Sequence, residues 1–589
     1  MKRFYSALLC CCLGFSLAAQ TVINGIVNIY TPVSSFVCDS SSLIVGNSTG
    51  FSAGDKVLLI QMKGAAVALA NNATFGDVTN PGNAGNYEFN RIESINGNEI
   101  RLQFALIHAY DVAGKVQLVR VPEYDNVIAS NLTCKAWDGT TGGVLAIDVA
   151  GTLTLQGNID VSAKGFRGGQ VFDTDIPGND ETQYFYPFSP ALSAEKGEGV
   201  ALIPVSQSFG RGKSANGGGG GNAHNAGGGG GANGGNGGNG GLEYFNTPGS
   251  PTPGTNGIGG AGLFNFSAQK VLLGGGGGAG HTNDNVGTSG GNGGGIALIK
   301  ANAVEANGFK IMANGADVVA DGTNRNDGQG GGGAGGTVLL LASQVTGNLT
   351  LELKGGNGGN CLFFVQSQII GPGGGGNGGK LAISQLFPNV TVTLNGGQNG
   401  IANQNMANGA QPGQTGSLLF PLLSLEEGTL PAGPMPDLGP DVILCVDSTV
   451  VFDAGPGYAS YLWQDGSTGQ TLAATTFDIY WVEVTDSCGN TQRDSVLLTG
   501  NLLADTQFGD VDLCAGASLA LTLPGFDNYA WAPAAGLSCT DCADVTIQPA
   551  ATTTYTLLAT TNDGCVLNDT FTVTVVPLPE LTETIEFCP

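Results

Sequence analysis

Four stretches of the chain share one alternation of apolar and polar positions: GGVLAIDVAGTLTLQGNIDVSAKG (142–165), GGIALIKANAVEANGFKIMANG (294–315), GGTVLLLASQVTGNLTLELKG (335–355) and GGKLAISQLFPNVTVTLNG (378–396). Each opens on Gly-Gly, runs into an apolar strand, turns, and enters a second strand that ends at glycine. In the second strands Leu349, Leu351 and Leu353 alternate with Thr350 and Glu352, and Val390, Val392 and Leu394 alternate with Thr391 and Thr393. A period of two turns one face to a core and the other to water. One such strand pair cannot bury its own face, so the copies are expected to stack, as a β-solenoid or a stacked β-sandwich.

Ahead of the repeats, residues 20–125 read as a small N-terminal β domain. The apolar run Lys56–Gln61 follows the turn Ser52-Ala-Gly-Asp55. Asn96-Gly97-Asn98 sits between two strand-like runs, a hairpin signal because Asn-Gly accepts positive φ. The repeats then define a glycine-rich β domain at 126–420, interrupted by a glycine-rich insert at 166–293. Residues 421–436 read as a linker. Beyond it the glycine thins out, and two segments, 437–500 and 501–577, carry Trp, Cys and Thr at the intervals of Ig-like sandwiches. The expected class is therefore all-β and multidomain.

Glycine supplies 100 of the 589 residues, with runs of five at 217–221, 227–231 and 274–278. Asn233, Asn236 and Asn239 recur at every third position, with Gly-Gly between them. Period three belongs to the extended left-handed helix of polyproline and collagen chains. Such segments are either flexible linkers or close-packed glycine helices joined by their own N–H groups. They lie between ordered repeat strands, which favours the packed bundle. A phosphate loop is excluded at Gly212-Lys213-Ser214, because Gln207 stands where the first glycine of that motif belongs.

The net charge is −26, from 47 acidic and 21 basic residues. Nucleic acid and bare anionic lipid are poor partners for such a chain. Divalent cations remain open. Two acidic loops carry hard oxygen ligands at short spacing, which suits Ca2+. One holds Asp173, Asp175 and Asp180; the other holds Asp317, Asp321 and Asp327. No other cofactor is suggested. His108, His224 and His281 are not within metal-ligand spacing of one another.

Residues 1–19 read as a signal peptide: Lys2 and Arg3, an apolar stretch from Phe4 to Leu17, then Ala18-Ala19. Leu9 precedes Cys10, which argues against a lipoprotein anchor. No later apolar run is long enough to cross a membrane. Export permits disulfides. Cys445 and Cys488 bracket the first C-terminal segment, Cys514 and Cys565 the second, and Cys539 and Cys542 form a CxxC. Cys38 and Cys134 are a candidate pair near the N-terminus. The connectivity stays open at this point.

LGPDVILC, YLWQDGSTGQT and YWVEVTDSCGN resemble the Ig/PKD-like modules of large Bacteroidota surface proteins. WAPAAGLS (531–538), TTTYTL (552–557) and Asp563-Gly564-Cys565 resemble their second recurrent module type, and VCDSSSLIVGNSTGFSAGDKVLLIQMKGA resembles the start of that group. The resemblance implies type IX secretion and an adhesin-like or gliding-motility-associated role. The sorting domain usual in that group is not matched, and 578–589 reads as the start of a truncated further module.

A secreted, cell-surface structural or adhesive protein is the expectation. Its partners would be extracellular polysaccharide, surfaces or other cells, with secretion machinery acting on export. The alternatives are a polysaccharide-degrading enzyme on a β-solenoid and an ice- or mineral-binding protein, the latter suggested by Thr391-Val392-Thr393. No catalytic set of residues can be nominated.

Overall fold

The computed structural model describes residues 21–37, 41–174, 181–244, 253–263, 270–283, 286–319, 327–361, 369–428, 436–445, 449–456, 458–485, 491–501, 508–562 and 565–578. The chain is all-β, and it divides into two compact units, 1–432 and 433–589. The candidate signal peptide lies outside the described residues.

Among the described residues of the first unit, twelve strands form one curled parallel sheet. The repeats build it as successive coils. Val144–Leu155 pairs in register with Ile296–Glu305, that strand with Thr337–Thr346, and that in turn with Lys380–Ile383. The second strands stack the same way: Ile159–Asp160, Lys310–Met312, Leu349–Glu352 and Val390–Thr393. The stacking is that of a solenoid. Its interior holds Leu145, Ile147 and Val149 from one coil, Ala297, Ile299 and Ala301 from the next, and Leu349, Leu351 and Leu353 from a return strand.

The first strands are apolar on both faces because both faces are covered. The described strands between Ile29 and Arg120 form a closed six-stranded antiparallel barrel, preceded by Thr21–Ile26, which joins the parallel sheet. In its strand Lys56–Gln61, Val57 and Leu59 point into the barrel, while Leu58 and Ile60 pack on Val144, Ala146, Ile296 and Leu298 of the sheet. The barrel thus shares a core with the glycine-rich region. Residues 421–428 run as a strap over the barrel rather than as a free linker. Phe89 N donates to Glu426 O at 2.8 Å, and Gly428 N donates to Phe89 O at 3.0 Å.

The glycine segments complete each coil as a bundle of extended helices. Residues 227–232 form its centre. Gly227 and Gly230 donate to Gly241 and Gly238, Gly228 and Gly231 to Gln329 and Gly332, and Gly229 and Ala232 to Gly219 and Asn216, at 2.8–2.9 Å. Their carbonyls accept in the same rhythm: from Gly257 and Gly260, from Gly374 and Asn377, and from Gly278 and Gly275. Six neighbouring segments are each bonded twice, three residues apart, as a helix of three residues per turn requires. Every polar backbone group of this buried stretch is thereby satisfied. Side chains are excluded by contact: a Cβ on Gly230 would overlap the carbonyl of Gly375, and one on Gly231 that of Gly275. The asparagines at period three bond across segments. Asn239 and Asn236 accept from Gly259 N and Gly262 N, and Asn233 donates to Gly335 O and Gly336 O.

The second unit holds two Ig-like sandwiches of one topology. In each, a four-stranded sheet faces a two-stranded one, and the first strand runs parallel to the last: Val442–Cys445 with Thr491–Asn501, and Val511–Cys514 with Val566–Val576. Trp463 and Trp531 are buried in the two cores, and their Nε1 groups donate to Gly469 O and Cys542 O.

The cysteine pairing departs from one bracket per module. Cys445 is bonded to Cys565, joining the two sandwiches, and Cys514 is an exposed thiol. Cys539 is bonded to Cys542. Cys134 is not in a disulfide: it lies inside the solenoid, where burial pushes its thiol up to about 12. Cys38 and Cys488 lie outside the described residues.

Candidate functional site

Where the barrel stops covering the first strands, their outer face emerges and forms the floor of an open groove of about 910 Å³. Successive coils contribute side chains in register. Asp148 lies beside Lys300, which lies beside Leu341; one step along each strand pair, the outward positions are Ala150, Asn302 and Ser343. Ser384 and Gln385 follow on the next coil, just beyond its last paired residue Ile383, with Gln385 Nε2 donating to Ser343 O at 3.0 Å.

Two segments wall the groove. At one end Glu123–Tyr124 pairs with Asp148–Val149, and Gly151 N donates to Asp125 O at 2.7 Å where the first strand bends. Along one side runs the strap. Leu422 N donates to Ile383 O at 2.9 Å, which extends the sheet by a step and leaves the side chain of Leu423 82% exposed over the groove.

The ions of the groove are paired. Lys56 is buried beneath it, and its Nζ lies 2.8 Å from Asp148 and 2.7 Å from Glu427 of the strap. Burial works against its charge, but the bonds to the two carboxylates outweigh it and hold the ammonium above the ordinary lysine value. Lys300 lies 3.3 Å from the same Asp148 and 3.9 Å from Glu427. Arg91 holds Glu123 with two bonds, at 2.6 and 2.9 Å. Asp148 is therefore held between two lysines.

A smaller cleft of about 470 Å³ lies over the glycine bundle. Its charges hold structure. Lys63 and Arg167 both bind Glu198, at 2.7 and 3.0 Å, and Trp137 Nε1 donates to the same carboxylate. Lys196 is buried against the carbonyls of Tyr184 and Gly210, and burial pushes its pKa well below the ordinary value.

The Ca2+ candidates are not brought together among the described residues, which hold no group of three or more acidic, His or Cys side chains able to ligate a metal. Asp175, Asp180 and Asp321 lie outside the described residues. Asp327 is buried, and its carboxylate accepts from Thr282 Oγ1 and from the backbone of Asn283 and Val286. Asp317 is exposed and accepts from Asn357 N at 2.6 Å. Asp173 makes a bridge with Thr282. Of the histidines, His108 stands in a loop 3.7 Å from Glu426, and His281 is buried, its pKa pushed down to about 4 by burial. Thr391 lies between Thr350 and open edge, in a row that begins at Lys310, so no threonine array forms there.

Sequence reasoning missed the groove. Its residues come from six separated segments, and each is of an ordinary type. The one available signal was the outward position that turns polar late in each first strand: Asp148, Lys300, and then Asn302 and Ser343.

Fold and groove define an all-β, multidomain protein that joins a glycine-backed parallel solenoid to Ig-like sandwiches. No family model matches the sequence, and no curated protein matches it. Among solved structures, a fragment of three titin domains is similar at 16% identity over 24% of this chain and 64% of its own, with a TM-score of 0.17. The insect immune protein hemolin is similar at 15% identity over 28% of this chain and 52% of its own, with a TM-score of 0.17. The Bacteroides ovatus mixed-linkage glucan protein SGBP-B, in complex with a heptasaccharide, gives 15% identity over 26% of this chain and 48% of its own, with a TM-score of 0.10. At such scores none of these carries an argument about function. Among the described residues, no helix is long and apolar enough to cross a membrane.

Proposed function

We propose that the chain is an exported, surface-associated adhesive protein that binds polysaccharide or a surface without cleaving it. The observation that carries this reading is the open groove, with its outward Asn302, Ser343 and Gln385 and its one central carboxylate, Asp148, tied to two lysines. Such a floor can accept hydroxyl groups along a chain laid across the coils, and its central carboxylate is engaged by Lys56 and Lys300. The hydrogen-bonded glycine bundle behind it supplies a stiff platform. The Ig-like modules act as spacers, and the disulfide between them limits their independent movement.

Export through the signal peptide, a Bacteroidota source and passage through the type IX system belong to the same proposal. They rest on the N-terminal sequence and on the modular resemblance. The test is to incubate the mature chain with a panel of polysaccharides and to read both protein retained and new reducing or unsaturated ends. Retention without new ends is expected. New ends would replace this reading with the enzymatic one.

A further inference from the structure

The charges of the groove narrow its ligand. An anionic polymer needs cations that are not already engaged. Lys300 is the basic residue that lines the groove, and its ammonium is committed to Asp148 and Glu427. Lys56 lies below the floor and is committed to the same two carboxylates. Arg91, at the rim, is spent on Glu123. Asp125, exposed at the end wall, adds negative charge. A uronate or sulfated chain would meet net negative charge, and taking Lys300 for itself would leave Asp148 with one partner fewer.

The uncharged surface of the groove suits a different polymer. Asn302 and Ser343 stand side by side on neighbouring coils, whose strands are about 4.8 Å apart, and Gln385 lies on the coil after them, so hydrogen-bonding groups are offered by three successive coils along the groove. Tyr124 is half-buried at the end wall, and Leu422 and Leu423 form the side wall. A sugar ring presents hydroxyls at its edge and C–H groups on its faces. The polar row meets the first and the tyrosine and leucines meet the second.

Resting on the adhesive reading above, we infer that the groove between Tyr124 and Gln385 binds an extended, uncharged polysaccharide that lies across the coils.

The mature chain is tested by affinity electrophoresis in gels containing a neutral glucan, mannan or xylan, and in gels containing alginate or polygalacturonate with and without Ca2+. Asn302→Trp and Ser343→Trp fill the floor, Tyr124→Ala removes the end wall, and Thr391→Trp on the return strand serves as control. Each is checked for an unchanged melting temperature. Retardation is expected in at least one neutral gel and not in the uronate gels. Each floor variant should weaken it by about tenfold or more, as loss of a ligand's main contacts does, and Thr391→Trp should leave it unchanged. Retardation by uronates in preference to neutral chains overturns the ligand class while the adhesive reading stands. Neutral binding that survives both tryptophans with normal melting overturns the site. No retardation by any glycan removes polysaccharide binding, and with it this inference.

Discussion

Gly229 donates its backbone N–H to the carbonyl oxygen of Gly219 at 2.8 Å, a bond of main chain to main chain. The same kind of bond links the central glycine segment to each of its six neighbours. Main-chain bonds carry most of this bundle, with asparagine side chains adding bonds across its segments, and the close approach of the backbones makes the absence of Cβ atoms at the glycines a structural requirement.

Gly230→Ala should therefore destabilise the first unit. Its new methyl group would overlap the carbonyl of Gly375 in a fully buried setting. Overpacking of this kind costs about 1–3 kcal/mol, and more where the backbone cannot give way. Gly509→Ala is the matched control: nothing lies within 4 Å of its added methyl, and the change should be within about 0.5 kcal/mol of neutral. Thermal melting of the three chains checks both.

Lys56 binds Asp148 of the sheet and Glu427 of the strap from beneath the groove. Lys56→Met should cost about 3 kcal/mol, because removing one member of a buried ion set leaves the others short of a partner. The raised pKa of this lysine means that its contribution is complete below the ordinary value of 10.5 and is lost as pH rises through the higher folded value. Wild type should accordingly lose stability above about pH 10.5, and the variant should show less of that loss. Denaturant unfolding at pH 8 and pH 11 reads both effects.

Glu88 is buried, its Oε2 accepting from Ile107 N at 2.6 Å, and burial lifts its pKa from 4.5 to about 7. A carboxyl group raised in this way favours folding while protonated. Its contribution is present below pH 4.5 and is lost as pH rises through about 7. The size is about 3 kcal/mol at about 1.4 kcal/mol per unit. Glu88→Gln should remove that loss. The difference between the two stability curves from pH 4 to pH 8 isolates it from the opposite trend of His281, whose lowered pKa makes it stabilising as pH rises.

Peptide mapping without reduction should recover Cys445 linked to Cys565, not to Cys488. Thiol labelling of the native chain should modify Cys514, which is exposed, and spare Cys134, which is buried in the solenoid. Reducing the bond frees a loop of 120 residues, and closure of so long a loop is worth about 4–5 kcal/mol in the chain-entropy view. The two sandwiches should melt at lower temperature in reductant.

Patterns set by local geometry were legible in the sequence. Leu349, Leu351 and Leu353 alternate because the return strand has one wet face, and Asn233, Asn236 and Asn239 recur at three because the glycine helix turns in three. Long-range pairing was not legible. Nothing around Cys445 announces Cys565, because the bond depends on how one sandwich meets the next. Nor does anything around Val144 and Ala146 announce the barrel that covers them. The groove belongs to the same class: Tyr124, Asn302 and Leu423 become neighbours only after the coils have stacked and the strap has crossed them.

Hydrogen exchange of the mature chain, with and without a saturating neutral oligosaccharide, tests the central claim most directly. The account predicts slower exchange at residues 123–125, 300–302, 341–343 and 384–385, with the oligosaccharide recovered at its original length. Protection confined to other segments, or a shortened oligosaccharide, would contradict it.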